Sequence, residues 1–152
     1  EKYETIWDIW WYFKENPPLM SGMEFWESAM VKYNNEDYYG AQSDLLSSIE
    51  IGDFGFIRGA LAKCQYNIGI KDWNENGASI FTMNKFLEAN ENIKIAISED
   101  DNNPEFYFWK GNINYVLTDW FGDEAKDEAC ENWNQAVIIG GQSWAGNLNL
   151  CN

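Results

Sequence analysis

The chain has 152 residues, of which 45% are hydrophobic and 17% aromatic, nine of them tryptophans; it can bury a core and is no disordered acidic tail. Ten basic residues stand against 25 acidic ones, a formal charge of −15, so neither nucleic acid nor an anionic membrane surface is an expected partner; a basic protein or peptide partner, a divalent cation or a solvated acidic face are the readings that remain. No uninterrupted apolar run approaches the roughly 20 residues that span a bilayer, and no membrane span is expected.

Residues 2–15 place Tyr3, Ile6, Trp7, Trp10 and Phe13 three or four apart, the period of an amphipathic helix. Pro17 and Pro18 stop it. Ser21, with Glu24 three residues on, reads as the capping box of a helix running to about Tyr33. After the polar break Asn34–Glu36, helices are expected over about 38–51 and 54–66, the second closed by Gly69. A helix from Asp72 to about Asn84 and another from Phe86 to Glu99 follow, with Trp73, Gly77, Ile80 and Phe81 on one face of the first. The turn Asp100–Pro104 leads to helices at about 105–117 and 124–138, then Gly140, Gly141 and a short tail. No stretch alternates cleanly with period two, and the reading is all-α.

One motif recurs along these helices: a small residue, a large apolar one four positions on, and a small one three further. It occurs as Gly22, Trp26, Ala29; as Ala89, Ile93, Ala96; as Ala129, Trp133, Ala136; and, degenerate, as Ile57, Leu61, Cys64. Its last members, at 29, 64, 96 and 136, lie 35, 32 and 40 residues apart, close to the period of a two-helix solenoid repeat. Upstream of two copies stand an aromatic and a glycine: Trp73 and Gly77, then Tyr107 and Gly111. With these residues the chain resembles the tetratricopeptide repeat (TPR) family, and ACENWNQAVIIGG with the terminal cysteine resembles the last repeat and cap of bacterial TPR proteins. The resemblance implies a right-handed α-solenoid of about four helix-turn-helix units, roughly 2–35, 36–69, 70–103 and 104–140, with residues 141–152 as a C-terminal cap, in a single domain. The first two units depart from the pattern, with Trp10 and Leu45 where the family prefers glycine.

The chemistry of catalysis is missing. Histidine is absent, and with it Ser-His and Cys-His pairs and the usual nitrogen metal ligand; no P-loop, dinucleotide-binding glycine motif or zinc-type cysteine pair is present. Neither enzyme activity nor a cofactor is expected. Calcium is the one inorganic ligand to consider, through the acidic loops Glu99–Asn103 and Asp123–Glu128, although neither has EF-hand spacing, and turn and helix-terminus chemistry accounts for both. Cys130 and Cys151, 21 residues apart, either form a disulfide that staples the tail to the last helix or remain thiols beside Cys64. The chain opens on Glu1, which points to a processed or excised product, and an exported location, periplasmic or extracellular, is favoured over a cytoplasmic one.

In TPR arrays the first helix of each unit lines a concave groove. Carried onto this sequence, the groove positions include Lys71, Asn74 and Phe81, then Glu105, Phe108, Asn112 and Tyr115. Asn112 matches the asparagine that chaperone-binding members place against a peptide backbone; the clamp lysines are missing, with Phe108 and Val116 in their places. The resemblance thus implies a non-enzymatic interaction scaffold that holds a partner peptide or helix. The alternative is a structural subunit stacking end to end into a filament or tube, for which Trp7, Trp10 and Trp11 would form the self-association surface.

Overall fold

The computed structural model describes residues 20–152. These form α1 (Met20–Asn34), α2 (Tyr38–Ile51), α3 (Gly55–Asn76), α4 (Ile80–Glu99), α5 (Pro104–Val116), the single turn α6 (Thr118–Phe121), α7 (Asp123–Gly140) and a 3-10 run, Gln142–Cys151. Among the described residues there is no strand, and the helices pack together as an all-α fold. The expected helix over 2–15, with Trp7, Trp10 and Trp11, lies outside the described residues.

Packing follows chain order. The closest pairs are α1 with α2, α3 with α4, and α5 with α7, joined through α2–α3 and α4–α5. Side-chain caps fix several helix starts: the Asp37 carboxylate accepts from the Gly40 N–H (2.9 Å), Ser79 Oγ from the Thr82 N–H (3.0 Å), and Asn103 Oδ1 from the Glu105 N–H (3.1 Å), with Pro104 in the first turn. Ser21 lies within α1 and is not its N-cap. That first turn is tied down differently, by Ser48 Oγ of α2, fully buried and donating to the Gly22 carbonyl at 2.8 Å.

The largest departure from expectation concerns residues 54–99. Two breaks are expected there, at Gly69 and again near Lys85; the structure has one, at Gly77–Ser79. Gly69 does not end a helix. It is buried inside α3, where a Cβ would lie 2.5 Å from the Phe86 ring of α4, so its missing side chain serves a close helix crossing. Gly77 ends the helix, at φ +76° with its N–H on the Trp73 carbonyl (2.8 Å), and the Ser79 cap starts α4. The helix expected over 72–84 is therefore split between two elements, and the boundary drawn between units 36–69 and 70–103 falls inside α3.

Rings set into glycine notches mark the other junctions too. Phe106 of α5 faces Gly59 of α3, Trp133 of α7 faces Gly111 of α5, and Trp144 of the tail faces Gly140 of α7. The small-large-small motif marks buried faces: Ala29, Ile57, Cys64, Ala89, Ile93, Ala96, Ala129 and Ala136 are fully buried, and Leu61 and Trp133 nearly so. Two apolar clusters result. One joins Ala29, Ala41 and Leu45 to Ile57, Leu61 and Cys64; the other gathers Ala62, Phe86, Ala89, Ile93, Phe106 and Ile113. Helix α3 is a wall of both.

Candidate functional site

Because α3 runs unbroken to Asn76, Lys63, Asn67, Lys71 and Asn74 fall at intervals of four, four and three and share one face. Asn67 is pinned, its Nδ2 donating to the Tyr33 hydroxyl (3.1 Å) and to the Lys63 carbonyl (2.9 Å). Lys63 Nζ sits 5.7 Å from the ring centroids of both Tyr33 and Trp109, and pairs with Glu105 at 2.8 Å. Tyr33 in turn meets Tyr38 edge to face at 5.4 Å, and burial pushes both phenols above their ordinary range.

Beyond this aromatic collar the stripe opens into a cleft of about 430 Å³, lined by Tyr38, Asn67, Ile70, Lys71 and Asn74 with Glu36 and Glu75 at hand. Asn74 is exposed. Lys71 is exposed too and, like Lys126, takes no ion-pair partner among the described residues, whereas Lys32, Arg58, Lys63, Lys85, Lys94 and Lys110 each do. Of these two unpaired cations, Lys71 is the one in this cleft.

The remaining groove positions are not gathered there. Phe81 lies across the Gly77 turn in the first turn of α4, exposed, with Lys85 Nζ 5.6 Å from its ring centroid, and does not line the cleft. Glu105 is engaged with Lys63. Phe108 meets Trp144 at 5.6 Å, Tyr115 meets Trp133 at 5.5 Å, and Asn112 Oδ1 accepts from Trp133 Nε1 (3.0 Å) and from Asn147 Nδ2 (2.7 Å). Two of these α5 positions, Phe108 and Asn112, thus meet the chain's own C-terminal run, which packs mainly along α7, a placement that no local periodicity signals.

A polar seam between α3 and α4 has no counterpart in the sequence-based expectations. Arg58 binds Asp53 through two hydrogen bonds (2.7 and 2.6 Å) and reaches Asn92 Oδ1 at 2.9 Å; Asn92 Nδ2 donates to Gln65 Oε1 (2.8 Å), and Gln65 Nε2 to Glu88 (3.3 Å). Hairpin α5–α7 repeats the pattern. Asn132 Nδ2 donates to the Glu128 carbonyl (2.8 Å) and to Asn114 Oδ1 (3.4 Å), as Asn92 does to the Glu88 carbonyl (3.1 Å) and to Gln65. The segments EANENIKIA (88–96) and EACENWNQA (128–136) carry the signal, sharing Glu, Ala, Glu, Asn and Ala at matching places.

Cys130 and Cys151 are joined as a disulfide, with Cα atoms 5.8 Å apart, and Cys64 is a free, buried thiol that burial pushes up to about 12. Among the described residues no group of three or more His, Cys, Asp or Glu side chains is placed to share a metal ion. In the acidic loops considered for calcium, Asp100 accepts from the Asn102 N–H (3.2 Å), Asn103 caps α5, and Asp123 and Glu124 occupy the first turn of α7. No helix of the described residues is long and apolar enough to cross a membrane. No protein-family model matches this chain, and neither does any curated protein sequence.

Proposed function

We propose that this chain is a non-enzymatic interaction module of stacked, TPR-like helix pairs that holds a peptide or helix of a partner protein in the cleft at the end of α3. The carrying observation is Lys71, a cation without an ion-pair partner among the described residues, beside Asn74 in an open cleft with Tyr38, Asn67 and Ile70. Asn74 offers an amide to a peptide backbone, Lys71 a cation to a carboxylate, and Ile70 with Tyr38 an apolar floor. Glu36 and Glu75, together with the overall charge, favour basic residues flanking that carboxylate. The repeated asparagine seam in α3–α4 and α5–α7 supports a repeat architecture. Peptides selected from a random displayed library test the reading. Their affinity, measured by calorimetry, should fall about tenfold or more with Lys71→Glu, the scale of a charge reversal at a contact. Selected peptides that bind the variant as tightly as the parent would remove the cleft from consideration.

A second reading, end-to-end self-assembly, draws on apolar side chains exposed on the first described hairpin and at the opposite end of the chain. Val31 and Leu46 of α1 and α2 are 61% and 46% exposed, and Ile138 of α7 and Leu150 of the C-terminal run 76% and 37%. Light scattering against concentration decides it: a monodisperse monomer throughout would end this reading.

A further inference from the structure

We infer that the C-terminal run Gln142–Cys151 is a resident ligand of the α5–α7 face, latched by the Cys130–Cys151 disulfide, and that breaking this bond opens the face to an external segment of the same chemistry. The run sits as a bound peptide would. Trp144 packs against Phe108 at 5.6 Å and over Gly140, next to Pro104, while three residues on Asn147 Nδ2 donates to Asn112 Oδ1 at 2.7 Å. Three residues make one turn of a 3-10 helix, so the ring and the amide point to one side. An aromatic followed at the third position by an amide is therefore what the face accepts.

The hold is light apart from the latch. None of the ten residues of this run is buried, whereas every other described helix longer than one turn contributes side chains to the core. The run leaves α7 at Gly141, where φ is +86°. Its far end is fixed by Cys151, and both sulfur-bearing residues line an open cleft of about 610 Å³ with Asp123, Lys126, Asp127 and Glu131. A small dithiol can reach the bond there. Its thiolate attacks one sulfur and expels the other as a thiolate, giving a mixed disulfide, and its second thiol then displaces the sulfur that was attacked; the dithiol leaves as a cyclic disulfide, and Cys130 and Cys151 each gain a proton and one of the two electrons transferred. Once cut, the run is held by its ring and amide contacts at the effective concentration of a short tether, and an external segment competes with it.

The test uses the whole protein, oxidised, treated with dithiothreitol, or carrying Cys151→Ser, and a fluorescein-labelled peptide QSWAGNLNLSN as probe. Hydrogen exchange in residues 142–152 should quicken about tenfold or more on reduction and in the variant, with α1 to α4 unchanged, as local opening requires. The peptide should bind the reduced protein and the variant by fluorescence anisotropy, not the oxidised protein, and Asn112→Ala in the Cys151→Ser background should weaken it. Cys130→Ser, which breaks the same bond from the other side, must reproduce both results. Unchanged protection of the run after reduction, loss of protection spreading through α1 to α4, or equal peptide binding in both redox states would each overturn the inference. Lys71→Glu should leave these readouts untouched, which separates them from the α3 cleft.

Discussion

Replacing Gly69 by alanine probes the crossing of α3 and α4 directly. A Cβ there would lie 2.5 Å from the Phe86 ring. The ring has nowhere to go: Phe86 is fully buried, with Tyr66, Trp73 and Trp120 at centroid distances of 5.8, 6.0 and 6.1 Å. Overpacking a filled core costs about 1–3 kcal/mol, while alanine gains about 0.5–1 kcal/mol over glycine within a helix. Overpacking wins, and Gly69→Ala should lose about 1–2 kcal/mol, lowering the thermal midpoint by about 2–4 °C per kcal/mol for a chain of this size. Urea unfolding followed by circular dichroism measures the loss as a shifted midpoint at constant slope. In a Phe86→Leu background the ring edge is gone, and the same glycine replacement should become neutral or stabilising by about 0.5 kcal/mol. An identical cost in both backgrounds would refute the close contact, and with it the physical reason given for an unbroken α3.

Three further outcomes are expected. A thiol reagent should count one sulfhydryl per chain in unreduced, unfolded protein and three after reduction, while Cys64, buried and raised to about 12, stays silent in the folded state; three thiols before reduction would contradict the disulfide. Asp72 is held below the ordinary carboxylate range by hydrogen bonds from Thr82, then Asn76 and Ser79. A carboxyl depressed on folding contributes stability fully above its unfolded value of 3.8 and loses it as pH falls through the lower folded one, so Asp72→Asn should flatten the acid limb of the melting curve below about pH 4; parallel acid limbs would contradict this. Trp133→Ala should cost about 3–5 kcal/mol, because it empties a fully buried site over the Gly111 notch and strips Asn112 of a donor; a loss under about 1 kcal/mol would contradict the packing.

Helix α2 was legible to the residue, and α5 and α7 nearly so, because strong stop signals bracket them: Asn34–Glu36, Asn103–Pro104 and Gly140–Gly141. The small-large-small triplets were equally readable, since burial leaves a helical period in the sequence. The middle of the chain was not. Gly69 and Gly77 are the same residue type within eight positions, and local sequence does not say which one makes room for a ring and which one turns the chain. Reading Gly69 as the stop hid the stripe Lys63, Asn67, Lys71, Asn74, which exists only along a continuous helix. The family resemblance points to Asn112 as a binding residue, but its partner Asn147 lies 35 residues away in a run without apolar periodicity. Such a contact is written in the fold and not in any window of sequence. The paired seams at Asn92 and Asn132 had a visible signature in the repeated Glu-Ala-x-Glu-Asn.

The length of α3 carries a mechanical consequence. Its 22 residues extend about 33 Å, and it gives Ile57, Leu61 and Cys64 to one cluster while Ala62, Tyr66, Ile70 and Trp73 serve the next. In a stacked array every interface is a joint, able to bend or fray by itself. A rod passing through two neighbouring interfaces removes one such joint. A twist applied at α1 and α2 is then delivered to α4 without being absorbed on the way, and the two clusters keep a fixed angle to each other, as the ends of a strut do.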